Sequence, residues 1–197
     1  MRNLIGKMQQ PGSQSDGFSR ICLAIISRYK DYIEEKESLS VAELPTLVTP
    51  HNPRIEVKAA ELKASARSYD YDRDFSEAAL KAYEFVKEEI GQITLPLQFW
   101  LTPEETLDFR MGDSIDRNIL LCSLLICLGN PSARVLVRSS DSRREVMVYY
   151  GHAGRTCMMD LAGSIKEFDS PKAAMESLRA SEDETMYEFN DSMYADI

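Results

Sequence analysis

The chain has 197 residues, 44% of them hydrophobic, and its 32 acidic against 23 basic residues give a formal net charge of −9. That length suits one domain with some decoration and a core that needs no staple. The acidic balance excludes a nucleic-acid partner and an anionic membrane surface, both of which need a basic patch.

Residues 1–17 are polar and rich in Gln, Ser and Gly, which predicts a flexible tail without a signal-type apolar core. A single domain is expected over 18–197, with a helical extension and linker over 18–53 and the core over 54–197. Ile21, Ile25, Ile26, Tyr29 and Ile33 recur at helical spacing and predict a helix from Phe18 to Ser38. A linker punctuated by Pro45, Pro50 and Pro53 follows, then a helix near Ile55 to Ser65. The next helix is expected to be capped by Asp74, with Glu77 in the capping-box position and Gly91 as its stop. Leu95 to Leu101 reads as extended.

Thr102-Pro103-Glu104-Glu105 has the cap, first-turn proline and capping-box glutamate of a short helix. Gly112-Asp113-Ser114 then leads into Ile115 to Leu128, apolar on almost every side and therefore expected in the middle of the fold. Gly129-Asn130-Pro131 stops it. Strands are expected at Ala133 to Arg138, Arg144 to Tyr150 and Arg155 to Leu161, the last two joined through Gly151-His152-Ala153-Gly154. A helix from Pro171 to Ala180 and an acidic stretch with an edge strand at Tyr187 to Asp191 complete the chain. Helices followed by a run of antiparallel strands indicate an α+β fold, with the central helix packed on a small sheet.

No run approaches the ~18 apolar residues that span a bilayer. Cys22, Cys122, Cys127 and Cys157 form no Cys-x-x-Cys pair, and His51 and His152 are the only imidazoles. No zinc site is recognisable, and no metal or cofactor is expected. Three of the thiols lie in apolar runs, where they act as small core residues. This points to a reducing, cytoplasmic compartment. Arg138, Arg143 and Arg144 form the nearest approach to a basic cluster and read as solvated charge.

A residue in the first turn of the central helix feels the positive end of the helix dipole and a group of N–H donors. A cysteine there would be an activated nucleophile with an oxyanion site beside it. Thr102-Pro103-Glu104-Glu105-Thr106-Leu107, Gly112-Asp113-Ser114-Ile115-Asp116, the apolar helix and the exit Gly129 to Val135 together resemble the transglutaminase-like superfamily. Within it they resemble the stand-alone prokaryotic and archaeal members of cysteine-protease type. That family enters its helix with Gly-Asp-Cys-x-Asp. The exit here is one residue longer before its arginine. The resemblance covers about residues 54 to 165 and implies a papain-like fold with cysteine on the helix and histidine and aspartate on adjacent strands.

Position by position, the resemblance places the nucleophile on Ser114, the histidine on Glu145 and the aspartate on Asp160, so only the third member is retained. It thus implies an inactive domain, a pseudoenzyme whose old cleft holds a protein or an extended peptide. Other readings stay open. Ser114, Glu145 and Asp160 could form a non-standard amidase or peptidase site, or Ser114 could be an engineered replacement for cysteine. A plain interaction protein working through its N-terminal helix or acidic tail is a further reading. Taken singly, Asp113, Ser114 and Asp116 are ordinary helix-terminus residues, and Asp160 can simply hold a loop. His152 and His51 are expected to be turn and linker residues outside the chemistry. The oligomeric state cannot be read from the sequence.

Overall fold

A computed structural model describes residues 12–37, 41–64, 68–94, 97, 99–140, 144–178 and 184–197. Contacts divide the chain into two units, one of residues 1–38 with 95–99 and one of residues 39–94 with 100–197.

In the first unit, helix α1 spans Gly12–Glu37. It begins at Gly12 rather than Phe18, because Ser and Gln oppose a helix only weakly. Residues 1–11 of the expected tail, and Ser38 of the expected helix, lie outside the described residues.

The second unit opens with a 3-10 turn at Val41–Leu47. The expected linker is therefore part of the core: Leu44 and Leu47 are buried, and the Thr49 N–H donates to Ser123 Oγ at 3.1 Å. Helix α2 (Pro53–Lys63) starts two residues early, capped by Asn52. Its predicted end, Ser65, lies outside the described residues. Helix α3 spans Tyr71–Glu89 and is capped by Asp70, not Asp74. Asp74 instead accepts the Asp70 N–H at 2.8 Å. The added turn is anchored by the Tyr71 ring, which meets Phe75 one turn along the helix and His152 of the sheet. Gly129 lies under the same ring: its φ is +110° and a Cβ would sit 3.0 Å from Tyr71. It therefore needs both glycine's backbone freedom and its lack of a side chain.

Helix α4 (Pro103–Phe109) carries the expected Thr102–Glu105 capping box, and the central helix α5 spans Ser114–Cys127. The described part of the extended stretch before α4 forms no strand. A short parallel pair appears instead, β1 (Gly91–Gln92) with β2 (Met111–Gly112). The sheet strands are β3 (Arg134–Ser139), β4 (Arg144–His152), β5 (Arg155–Met159), β6 (Ile165–Phe168), β7 (Thr185–Phe189) and β8 (Tyr194–Asp196). Their order is β6-β5-β4-β3-β7-β8, antiparallel throughout. The segment expected as an edge strand is thus internal, because β8 folds back to cover it. Helix α6 ends early, spanning Pro171–Glu176. Ala180 lies outside the described residues.

The turn between β4 and β5 is Ala153-Gly154, both with positive φ, as two-residue hairpins favour. His152 therefore belongs to the strand, where it pairs with Arg155. It is half-buried, its ring 5.0 Å from Phe75, rather than a solvated turn residue.

The sheet has two apolar faces. Val146, Val148 and Tyr150 of β4 join Ile115, Ile119 and Leu120 of α5 in the main core. Met147 and Tyr149 join Leu136, Met158 and Ala174 on the opposite face, beside α6. This strict alternation decides what β4 can offer to the central helix.

Candidate functional site at the start of the central helix

Four residues build the N-terminal end of α5. Asp113 is its cap: one carboxylate oxygen accepts the N–H groups of Ile115 at 2.7 Å and Asp116 at 2.9 Å. Asp116, fully buried, closes the box by accepting the Asp113 N–H at 2.9 Å. Its other oxygen accepts the Leu101 N–H at 2.8 Å, which ties the segment before α4 to the start of α5. Burial, and next the neighbouring Asp113 carboxylate, push the Asp116 carboxyl up to about 7, against the pull of its two N–H donors.

Gly112 makes this closure possible. A Cβ there would stand 2.9 Å from Asp116 Cβ and 3.3 Å from a Thr106 methyl. Gly112→Ala is expected to cost about 2 kcal/mol through overpacking, read as a drop in urea midpoint at unchanged m-value. An unchanged midpoint would show that the loop has room to move.

Ser114 is the first helical residue, half-buried. Its carbonyl accepts from Asn118 Nδ2 at 2.7 Å, and the same amide reaches the Val146 carbonyl of β4 at 3.3 Å. Asn118 is thus the bridge between helix and strand, and its Oδ1 is buried without a partner. Two of the first-turn N–H groups that could hold an oxyanion are already taken by Asp113.

Ser114 and Glu145 are not brought together. Glu145 lies on the α6 face of β4, opposite Arg138 in the register, and forms an ion pair with it at 3.5 Å. Arg138 in turn donates to the Leu178 carbonyl after α6, at 2.7 Å. The β4 residues on the α5 side at this end are Arg144 and Val146. Arg138 is thereby an ion-paired strand residue rather than part of a basic cluster, and Arg143 lies outside the described residues.

Asp160 follows β5. Its side chain accepts the Ala162 N–H at 2.8 Å, and its carbonyl accepts the Tyr83 hydroxyl at 3.0 Å. A Cβ on Gly163 would lie 2.9 Å from its carboxylate. It holds a tight loop and docks that loop on α3.

His51 is an exposed residue of the turn before α2, and His152 is at the far end of β4, where Asn130 Nδ2 at the other end of α5 meets the Gly151 carbonyl at 2.9 Å. Two concavities of about 310 and 590 Å³ flank His152. The smaller is lined in part by Tyr150, Cys157 and Glu167. Burial pushes the Cys157 thiol up, so it is no activated nucleophile. Among the described residues, no three His, Cys, Asp or Glu side chains cluster as metal ligands.

Sequence reasoning missed Asn118 and the Leu101 tie of Asp116. The acid three residues after Asp113 signalled a capping box. The Leu101 contact spans 15 residues and leaves no local signal.

The sequence matches no family model and no curated protein. Among solved structures the chain is similar to LapG of Legionella pneumophila, with a TM-score of 0.51 at 17% identity over 79% of this chain and 87% of that one. A calcium-bound form of LapG gives 0.50 at 18% identity over the same shares. An EGTA-treated form gives 0.50 at 16%, over 81% and 86%. The likeness is one of fold: the α+β arrangement expected from the sequence, a central helix packed on a small antiparallel sheet, is the one found.

Proposed function

We propose that this transglutaminase-like domain is catalytically inactive and holds a protein or extended peptide at the start of the central helix. One observation carries the reading: β4 turns Arg144 and Val146 toward α5, while Glu145 faces the other way. A hydroxyl without an adjacent base is a poor nucleophile, and neither side chain on that face is a base suited to this role. Phe109 and Met111, 62% and 45% exposed, stand just ahead of Ser114 in the chain and supply the apolar surface that a peptide side chain would cover. The non-standard Ser114, Glu145, Asp160 site lacks support on the same ground, as Glu145 is engaged with Arg138 and Asp160 with its own loop.

Among the described residues, no helix is long and apolar enough to cross a membrane. All four cysteines are unpaired, which is consistent with the reducing, cytoplasmic setting included in this reading.

The test is built on thiol chemistry. Ser114→Cys should react with a disulfide probe as a thiol activated by the helix N-terminus alone, with no histidine contribution to its pH profile. Adding Glu145→His should leave rate and pH profile unchanged. A tenfold gain in rate at neutral pH would place position 145 at the helix and sink the face assignment. Binding is tested by peptide-array capture with Phe109→Ser and Met111→Ser: loss of captured peptides supports the groove, and retention removes it.

A further inference from the structure

Phe75 of α3 packs on Tyr150 of β4, and from there β5 and β6 carry the sheet on to its edge. On the α3 side their side chains fall in cross-strand rows set by the register. Met159 lies beside Ile165, Tyr150 beside Cys157 and then Glu167, and His152 beside Arg155. Ser76 and Leu80, one turn apart on α3, form the facing wall. Between them is the concavity of about 310 Å³, at the small end of the range for ligand pockets. It lies at the opposite end of β4 from Ser114 and stands apart from that site.

The floor of this bay changes character along its length. At one end Met159, Ile165 and Leu80 are apolar. In the middle the Tyr150 hydroxyl is hydrogen-bonded to the Cys157 sulfur, so these two groups satisfy each other. At the other end Arg155 is paired with Glu167 at 3.4 Å and with Asp169 at 3.1 Å. Both pairs join exposed side chains, contribute little by themselves and can exchange partners. The two signs choose the ligand. One bearing only a cation would meet Arg155, and one bearing only an anion would meet Glu167 and Asp169. A zwitterion satisfies both signs.

We propose that this bay binds a free α-amino acid with an apolar side chain, such as leucine or methionine. Its ammonium rests on Glu167, its carboxylate on Arg155, and its side chain on Met159, Ile165 and Leu80.

The experiment is calorimetric titration of the full chain. L-Leucine and L-methionine are expected to bind with millimolar or better affinity. L-Leucinamide and N-acetyl-L-leucine each lack one charge and should bind about tenfold or more weakly. Glu167→Gln should weaken L-leucine by a similar factor and leave N-acetyl-L-leucine unchanged, a difference that misfolding would not produce. Leu80→Trp, at an exposed position, should fill the bay and abolish binding with an unchanged circular dichroism spectrum. No saturable binding of either amino acid at millimolar concentration would overturn the proposal. So would equal affinity for leucinamide or N-acetyl-leucine, or binding indifferent to Leu80→Trp or to Glu167→Gln.

Discussion

Replacing Asp116 by alanine is expected to lower the stability of the fold by about 4 kcal/mol. Two backbone donors, the N–H groups of Asp113 and Leu101, lose their acceptor. A buried donor left unmade costs about 1–3 kcal/mol. Asp116→Asn keeps one acceptor oxygen and should cost about half as much. Urea titration followed by circular dichroism measures both, and a cost below ~1 kcal/mol for the alanine variant would show that water replaces the carboxylate.

The same residue sets a pH dependence. Its native pKa of about 7 lies above the ~3.9 of an unfolded aspartate. Between those values the native state keeps a proton that the unfolded chain has released. Stability from this group is therefore full below about pH 4 and falls as pH rises toward 7, by at most ~1.4 kcal/mol per unit. Above 7 the effect is flat. Asp116→Asn should flatten stability over that window, and an unchanged slope would assign the proton to another group.

The second large effect is expected at Arg117, whose side chain is buried and reaches from α5 to the end of α3. Its Nη2 donates to the Val86 and Lys87 carbonyls at 3.1 and 3.2 Å, and its Nη1 to Gln92 Oε1 at 3.0 Å. The two carbonyls belong to the last turn of α3, where acceptors lack helical partners and a cation meets the negative end of the dipole. Arg117→Ala removes these bonds and opens a cavity, at an expected cost of about 3 kcal/mol. Arg117→Met keeps the packing and sheds the desolvation cost of a buried charge, which itself lowers the arginine's pKa. It should be milder by about half. Equal losses in the two variants would show that the hydrogen bonds, not the packed stem, hold the contact.

The sequence exposed the fold best where short-range chemistry decides. The Thr102 box, the proline at the start of α4, the all-round apolar α5 and the Gly129 stop are local signals, and each element appears close to its expected bounds. Asp70 and Asp74 show the limit of such signals: both are good caps, and the choice was made by Tyr71 packing on His152, a residue brought near only by folding. β6 and β8 were missed because they are short and lie at the two edges of the sheet, where half-exposed residues dilute the alternation. At the site, the position of Ser114 followed from the motif. The fifteen-residue count from Glu145 to Asp160 did not fix the face, because a spacing along two strands says nothing of parity. A one-residue difference reverses which side of the sheet a side chain meets.

The two faces of β4 also constrain how this chain can change by descent. A base opposite Ser114 requires substitution at 144 or 146. Position 146 is a core valine, 7% exposed, so a polar ring there would be selected against before any activity appeared. A one-residue slip in the register of β4 would move every side chain across the sheet and empty both cores at once. An evolutionary path to a base beside Ser114 therefore narrows to one exposed position, Arg144, where histidine can replace arginine at little cost to folding.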